Sequence, residues 1–322
     1  MSAAMPSVQM RAIQQQAWGG PEELKLVNID RPAPLPTEVL VRVIAAGVNP
    51  VDIFTREGRA YMRALSLPHI PGWDVSGIVE AVGYGVTRFR VGDEVFGMPW
   101  FPRQAGAYAE YVTAPARHFA LKPQKLSHLE AAALPLAGLT AWEMLHDVAH
   151  VKAGQRVLVN GGAGGVGHLA IQIGKSLGAW VIATARSEKH RLLRQWGADE
   201  VHDYTIADPA ESIGDVDVVI ELVGGETCVR LLKALRPGGL LVSAQAAWAP
   251  QLHTEAERLK VRASWYLVEP NGGALGILST LVQSGRLTPH IDCTFPLAEA
   301  QAAQRFVASG RTIGKVVLTC QS

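Results

Sequence analysis

The chain has 322 residues, 48% of them hydrophobic and 18% charged; that length suggests about two domains, and the composition can bury a sizeable core. Such hydrophobicity with a net charge of +1 excludes disorder and removes any global field that would draw the chain to nucleic acid or an anionic membrane. Three scattered cysteines, Cys228, Cys293 and Cys320, form no C-x-x-C pair, which argues against a disulfide framework and fits a reducing cytoplasm.

Residues 1–7 lack the basic and apolar regions of a signal peptide and read as a loose tail. Short strand candidates follow at 39–44, 75–82, 94–96 and 108–112, punctuated by Gly72, Gly77, Gly83, Gly85, Gly92, Pro99 and Pro102. Short strands between turn signals predict a compact barrel or sandwich. Residues 129–146 read as helical with a break near Pro135. The apolar stretch 131–142, interrupted by Pro135 and Gly138 and flanked by Glu130 and Glu143, is too short to span a bilayer.

From there strands and helices alternate: strand 156–159, helix 166–177, strand 180–184, helix 188–196, strand 201–204, strand 216–223, helix 227–235, strand 239–243 and strand 261–268. Apolar strands alternating with amphipathic helices imply a parallel sheet covered on both faces. A helix at 273–283 and a strand at 315–319 close the chain. The expected organisation is two domains, with the second inserted into the first.

Gly161-Gly162-Ala163-Gly164-Gly165-Val166-Gly167 contains G-x-G-x-x-G at Gly162, Gly164 and Gly167, placed between a strand and a helix. Glycines there serve a tight turn, the approach of backbone to a pyrophosphate and close packing of helix on sheet, while N–H groups at the helix start bind the anion. The next strand end, Ala183-Thr184-Ala185-Arg186-Ser187, lacks the acid that bonds a ribose 2′-hydroxyl in NAD sites. Arg186 pairs with a 2′-phosphate, with Ser187 donating a hydrogen bond, or else merely faces water. NADPH is therefore expected over NADH. Lys189 is kept as a further candidate from a basic cluster, with His190, Arg191 and Arg194, that reads mostly as a solvated helix face. Ser243 and Gln245, near the carboxyl end of a later strand, should line a cofactor, as should Val223.

Ala46-Gly47-Val48-Asn49-Pro50-Val51-Asp52, Pro71-Gly72-Trp73-Asp74-Val75-Ser76-Gly77, Val91-Gly92-Asp93-Glu94-Val95, Gly106-Ala107-Tyr108-Ala109-Glu110-Tyr111, Gly138-Leu139-Thr140-Ala141 and Gly314-Lys315 complete a set of motifs. With these motifs the chain resembles, over nearly its whole length, the zinc-free quinone oxidoreductase (zeta-crystallin-like) type of medium-chain dehydrogenase/reductase. The resemblance implies an α/β fold: a GroES-like β-barrel domain at 1–129 and 270–322, plus a Rossmann doubly wound parallel-sheet domain at 130–269. Zinc enzymes of the superfamily use a Cys, a Gly-His-Glu motif and a second Cys. The corresponding places here hold Asn49, Gly72-Trp73-Asp74 and the stretch around Ala137-Gly138, so no metal is expected.

The implied function is zinc-free transfer of hydride from NADPH to a quinone or α,β-unsaturated carbonyl compound by a cytoplasmic homodimer. Without a Lewis acid, the developing enolate needs hydrogen-bond donors and a proton. The resemblance puts Asn49 beside the nicotinamide, while Asn49-Pro50 with Asp52 also reads as a helix N-cap. Asn49, Asp52 and Tyr61 are the catalytic candidates, Tyr61 being equally readable as a structural tyrosine. Phe54 stands where several relatives carry tyrosine, and Trp73 fills volume where zinc would sit. Thr140 (otherwise a helix-interior threonine), Tyr204, Leu267, Val268 and Lys315 are implied cofactor contacts, Lys315 from the C-terminal return. Two alternatives are an enoyl-thioester reductase and a non-catalytic, crystallin-like NADPH-binding protein. A hydrolase is not expected, because there is no G-x-S-x-G elbow and none of the ten histidines is evidently paired with a nucleophile.

Overall fold

The structure, a computed structural model, describes residues 8–245 and 251–320. The tail expected at 1–7 lies outside the described residues. The strands among them are, in chain order, β1 (Gln9–Gln15), β2 (Leu24–Asp30), β3 (Glu38–Val48), β4 (Asp74–Val82), β5 (Glu94–Gly97), β6 (Tyr111–Pro115), β7 (Phe119–Leu121), β8 (Arg156–Asn160), β9 (Trp180–Thr184), β10 (Glu200–His202), β11 (Val216–Glu221), β12 (Leu235–Ser243), β13 (Arg262–Trp265), β14 (Ile291–Pro296) and β15 (Lys315–Thr319). They fall into two compact units. The first takes in the described residues up to Leu136, then Glu269–Gln283, then those from Pro289 onward; the second is Ala137–Val268 with Ser284–Thr288.

In the first unit, β3 is the long central strand. It pairs antiparallel with β4, β6 and β15 in a seven-stranded sheet ordered β14-β15-β3-β4-β5-β7. Register shifts at Leu40/Val41 and Val43/Ala45 bulge the β3–β4 ladder, and bulges bend a strand and increase its twist. Branched residues of the sheet, among them Val39, Val41, Val43, Val75, Val79, Val95 and Val316, bury together with Tyr108 and Phe119 as the core. The strand expected at 108–112 begins only at Tyr111. Tyr108 is taken by other partners: its N–H donates to Pro71 O and its carbonyl accepts from Ile13 N.

Among the described residues, four strands and two helices of eight residues or more were not legible. β2 and β14 alternate between partly buried and exposed positions and carry polar residues; β1 carries polar residues too, β7 is only three residues long, and the helices Leu252–Leu259 and Ala300–Ala308 are short. The helix expected at 129–146 divides into His128–Ala132, Pro135–Trp142 and a wider π-type turn at Glu143–Val148, with the break next to Pro135 as expected.

The second unit is a six-stranded, all-parallel sheet ordered β10-β9-β8-β11-β12-β13. Strand order reverses between β8 and β11, the position where open α/β sheets bind ligands beyond their strand ends. β11 is buried at all six positions, as a strand covered on both faces must be. The strand expected at 201–204 stops at His202, so Tyr204 lies in the following turn. No helix among the described residues is long and apolar enough to cross a membrane.

Gln172, on the helix Gly167–Ser176, holds the returning segment Ser284–Thr288. Its Nε2 donates to Thr288 O (3.0 Å) and its Oε1 accepts from Thr288 N (2.8 Å). Truncation leaves two backbone groups unpaired, so Gln172→Ala should destabilise the chain by about 1–3 kcal/mol in urea unfolding. A change indistinguishable from zero would mean that water replaces this clamp without cost.

Candidate active site

In the second unit β8 ends at Asn160 and the chain turns at Gly161, whose φ of +86° lies in the left-handed region. The tight turn thus falls one residue before the motif read from sequence. A Cβ on Gly167 would meet Gly161 O at 2.2 Å, so the helix Gly167–Ser176 packs on the turn only because that residue lacks a side chain. A Cβ on Gly162 would press on Ala183, Ile171 and Leu193 at 3.0–3.3 Å, and one on Gly164 would meet nothing closer than Gly161 O at 3.4 Å. Gly164, Gly165 and Val166 lead into the helix: the carbonyls of Gly164 and Val166 take the N–H groups of His168 (3.1 Å) and Leu169 (3.2 Å), which leaves the N–H groups of Gly165, Val166 and Gly167 at the helix start for a ligand.

A polar chain missed by the sequence reading crosses the carboxyl ends of four adjacent strands. Gly161 N donates to Thr184 Oγ1 (3.0 Å), which donates to Asn160 Oδ1 (2.7 Å). Asn160 Nδ2 donates to Glu221 Oε1 (3.1 Å), and Ser243 Oγ to Glu221 Oε2 (3.2 Å). Glu221, fully buried, also accepts from Val223 N (2.8 Å) and Gly224 N (3.0 Å), while Gln245 N donates to Ser243 Oγ (3.0 Å). Three expected cofactor residues, Val223, Ser243 and Gln245, are thereby tied to one carboxylate. In the sequence Glu221 was hidden inside an apolar strand; its signal was an acid ending a fully buried strand.

At the end of β9, Arg186 is exposed and donates from Nε to the Tyr204 hydroxyl at 3.3 Å. Tyr204 and Arg186, 18 residues apart, thus meet as a pair. Ser187 is differently engaged: its N–H (2.7 Å) and hydroxyl both donate to Asp203 Oδ2, whose other oxygen accepts from Thr205. These bonds, led by that from the Ser187 hydroxyl, hold Asp203 well below the usual carboxylate range. An acid therefore does stand beside this strand end, supplied by the turn after β10. Lys189 ends the short turn Ser187–Lys189. Thr140 is buried in Pro135–Trp142, Val223 and Leu267 are exposed, and Val268 is buried beyond β13.

In the first unit the end of β3 and the starts of β4 and β15 converge, because Gly47 pairs with Asp74 and Val48 with Val316. Asn49 caps the helix Pro50–Arg56, its backbone N–H donating to Asp52 Oδ2 at 2.7 Å, as the N-cap reading expected. Its side chain turns elsewhere. Asn49 Nδ2 donates to Asp74 Oδ2 (2.8 Å), Lys315 Nζ donates to Asn49 Oδ1, and Lys315 Nζ pairs with Asp74 Oδ2 at 3.1 Å. Asp74 Oδ1 accepts from Leu136 N at 2.6 Å. Lys315, expected as a cofactor contact, thus directs its ammonium onto Asp74 and Asn49. Asp52 also accepts from the buried Tyr108 hydroxyl at 2.8 Å, and burial pushes its carboxyl up to about 7.

Tyr61 adopts a left-handed φ of +55° and meets Phe101 edge-on at 5.3 Å, which in turn meets Trp73 at 5.2 Å. Burial raises the Tyr61 phenol above its ordinary value. Trp73 is buried and its Nε1 donates to Arg103 O at 2.7 Å. His69 is buried against Gln104. His128 does meet a hydroxyl, Ser76 Oγ at 2.8 Å, and reaches Glu94 Oε1 at 3.3 Å from its other nitrogen. Ser76 is fully buried, however, so the pairing holds β4 rather than a substrate. Zinc does not fit around Asn49: the Trp73 indole N–H is a donor, Asp74 already accepts from three groups, and an ammonium lies in the cluster. Among the described residues no group of three His, Cys, Asp or Glu could hold a metal.

Residues 35–124 match the family model described as an alcohol dehydrogenase GroES-like domain, and 196–318 match one described as a zinc-binding dehydrogenase. The chain is 36% identical to the quinone oxidoreductase of Rattus norvegicus, over 96% of this chain and 97% of that one. It is 35% identical to an NADPH-dependent alkenal/one oxidoreductase of Arabidopsis thaliana, over 98% and 81%. A solved quinone oxidoreductase from Coxiella burnetii superposes with a TM-score of 0.92 at 37% identity, over 98% and 100%. The chain belongs to the quinone oxidoreductase family of medium-chain dehydrogenases/reductases.

The raised pKa of Asp52 fixes a pH dependence. Between the ordinary carboxyl value near 4 and about 7 the folded chain keeps the Asp52 proton and the unfolded chain loses it. Stability attributable to this group therefore falls as pH rises through that window, by about 1.4 kcal/mol per pH unit, and is flat above it. Asp52→Asn keeps an oxygen acceptor for Asn49 N and Tyr108 without the charge. The stability difference between wild type and Asp52→Asn should shrink or reverse from pH 5 to 7 in urea melts. A difference independent of pH would sink this reading.

Proposed function

We propose that the chain is an NADPH-dependent oxidoreductase that delivers hydride to a quinone or an α,β-unsaturated carbonyl compound without a metal. The observation that carries the reading is the filling of the zinc position by Trp73 and by the buried Lys315–Asp74–Asn49 cluster, in a chain that also builds a dinucleotide loop. The names of the rat and Arabidopsis relatives support the acceptor class and the cofactor. NADPH supplies the hydride.

The residues divide the remaining work. Gly165, Val166 and Gly167 present backbone donors to the pyrophosphate, while Gly162 and Gly164, whose N–H groups donate to Thr184 O (2.9 Å) and Gly161 O (3.1 Å), shape the turn that lets it approach. Arg186, aligned by Tyr204, meets the 2′-phosphate, with Lys189 adding positive charge. Ser187 acts indirectly, by holding Asp203 down on its own N–H and hydroxyl. Thr140, Val223, Ser243, Gln245, Leu267 and Val268 line the rest of the cofactor. Asn49 and the Tyr61 hydroxyl serve the acceptor oxygen as hydrogen-bond donors while charge develops on it. Asp52 supports Asn49 from below.

We further infer a cytoplasmic homodimer. β13 is the terminal strand of the parallel sheet and carries an exposed tryptophan, Trp265, a combination that invites pairing with a second copy. Light scattering would show a mass near 69 kDa, twice the 34.5 kDa of one chain, if so, and near 34.5 kDa if not.

Turnover is tested by loss of NADPH absorbance with an ortho-quinone, a para-quinone, an enone and an enoyl thioester, each with and without chelator. Chelator-resistant turnover of a quinone or the enone is expected; turnover abolished by chelator, or confined to the thioester, would refute the proposal. Arg186→Ala should raise KM for NADPH about tenfold or more and leave that for NADH within about twofold, since only NADPH carries the 2′-phosphate. Equal losses for both cofactors would remove Arg186 from that role.

A further inference from the structure

We propose that Lys315, acting through its ion pair with Asp74, is the positioning residue that fixes which end of the Asn49 amide faces the acceptor. The inference rests on the reductase reading of Asn49 given above. A carboxamide has two ends of nearly equal shape and opposite hydrogen-bonding character, so a site that uses it as a donor must specify its orientation. The surroundings of Asn49 do so. An ammonium can only donate, and Lys315 Nζ is placed on Asn49 Oδ1. An ionised carboxylate can only accept, and Asp74 Oδ2 takes a hydrogen from Asn49 Nδ2 at 2.8 Å. Turning the amide over would set N–H against ammonium and carbonyl against carboxylate.

The pair is itself fixed. Lys315 Nζ lies 3.1 Å from Asp74 Oδ2, and Asp74 Oδ1 is held by Leu136 N at 2.6 Å. Both side chains stand at strand starts whose registers with β3 leave no freedom to slide. All three residues are at most 3% exposed. A buried ion pair is weak evidence for stability, because desolvation offsets most of its attraction, so its presence here calls for another role. The bonds consume Asn49 Oδ1 and one Nδ2 hydrogen. The remaining Nδ2 hydrogen is the donor offered to the acceptor oxygen, and polarisation by the ammonium on Oδ1 strengthens it.

The test uses the full-length enzyme with NADPH and the fastest acceptor of the panel. The variants are Lys315→Met, Asn49→Ala, their combination, and the charge-neutral double variant Asp74→Asn/Lys315→Met, which leaves no unpaired buried charge. Lys315→Met should lower kcat about tenfold or more while NADPH affinity, from fluorescence titration, stays within about twofold. In the Asn49→Ala background the same change should cost less than about twofold, because residues that act as a unit are non-additive. The neutral double variant should lose kcat like Lys315→Met while keeping its melting temperature. Wild-type kcat in the neutral double variant, or an equal Lys315→Met loss with and without Asn49, would overturn the proposal.

A second readout needs neither turnover nor a folded variant. In the wild-type protein the Asn49 side-chain NH2, observed by 1H–15N correlation, should show one hydrogen protected from exchange and a nuclear Overhauser contact to the Asp74 Hβ protons, as the bond from Nδ2 to Asp74 Oδ2 requires. Absence of that contact, or exchange of both hydrogens at the rate of a free amide, would overturn the proposal even with full activity. Failure of every acceptor in the wild type would instead refute the reductase reading, and the NMR result would still decide the orientation.

Discussion

An ammonium removed from water must have a carboxylate, and the carboxylate must have further donors; much of the first unit can be understood as meeting that demand. Lys315 at the start of β15 is answered by Asp74 at the start of β4, and Asp74 is completed by Leu136 N and Asn49 Nδ2. Satisfying four groups at once requires the end of β3 to lie between β4 and β15, which is the order observed. The central strand is thus pinned by polar geometry at one end and by its bulged, branched core elsewhere. Asn49 is set by the same arrangement, its backbone to Asp52 and its amide to the ion pair.

The second unit solves a similar problem with a different charge. Glu221 ends a wholly buried strand and, among the described residues, has no basic side chain as a hydrogen-bond partner; it is satisfied by amides and one hydroxyl: Asn160, Ser243 and the N–H groups of Val223 and Gly224. A carboxylate that accepts several such bonds is stabilised by hydrogen bonding in place of a counter-ion. The result is a shelf of fixed dipoles across the strand ends, from Thr184 to Gln245, at the side of the sheet where open α/β folds receive ligands.

The sequence made legible what depends on local pattern. Alternating apolar strands and amphipathic helices gave the parallel sheet, the glycine run gave the turn after β8, and Asn49-Pro50 gave the helix cap. What it hid depends on contacts far apart in the chain. Asp74 and Lys315 are 241 residues apart, and nothing in Gly314-Lys315 says that its ammonium turns inward. Asp203 reaches Ser187 from the turn after β10, so a reading of the β9 end alone finds no acid there. The edge strands β2 and β14 escaped for a simpler reason: an edge exposes alternate residues and carries the polar side chains that composition assigns to loops. The 108–112 segment shows long-range partners overriding local propensity, since Tyr108 packs into the core and leaves the ladder to begin at Tyr111.

The polar chain Thr184–Asn160–Glu221–Ser243 takes one member from each of four neighbouring strands, all at the same height in the sheet. Such an arrangement is inherited or lost as a block. A chimera that joined β8 and its glycine turn from this chain to β11 and β12 of a relative lacking the matching acid and hydroxyl would bury an amide without its partner. The natural unit of exchange between these enzymes is therefore the whole set of strand ends, and a recombination breakpoint is better tolerated in the helices between strands than inside this row.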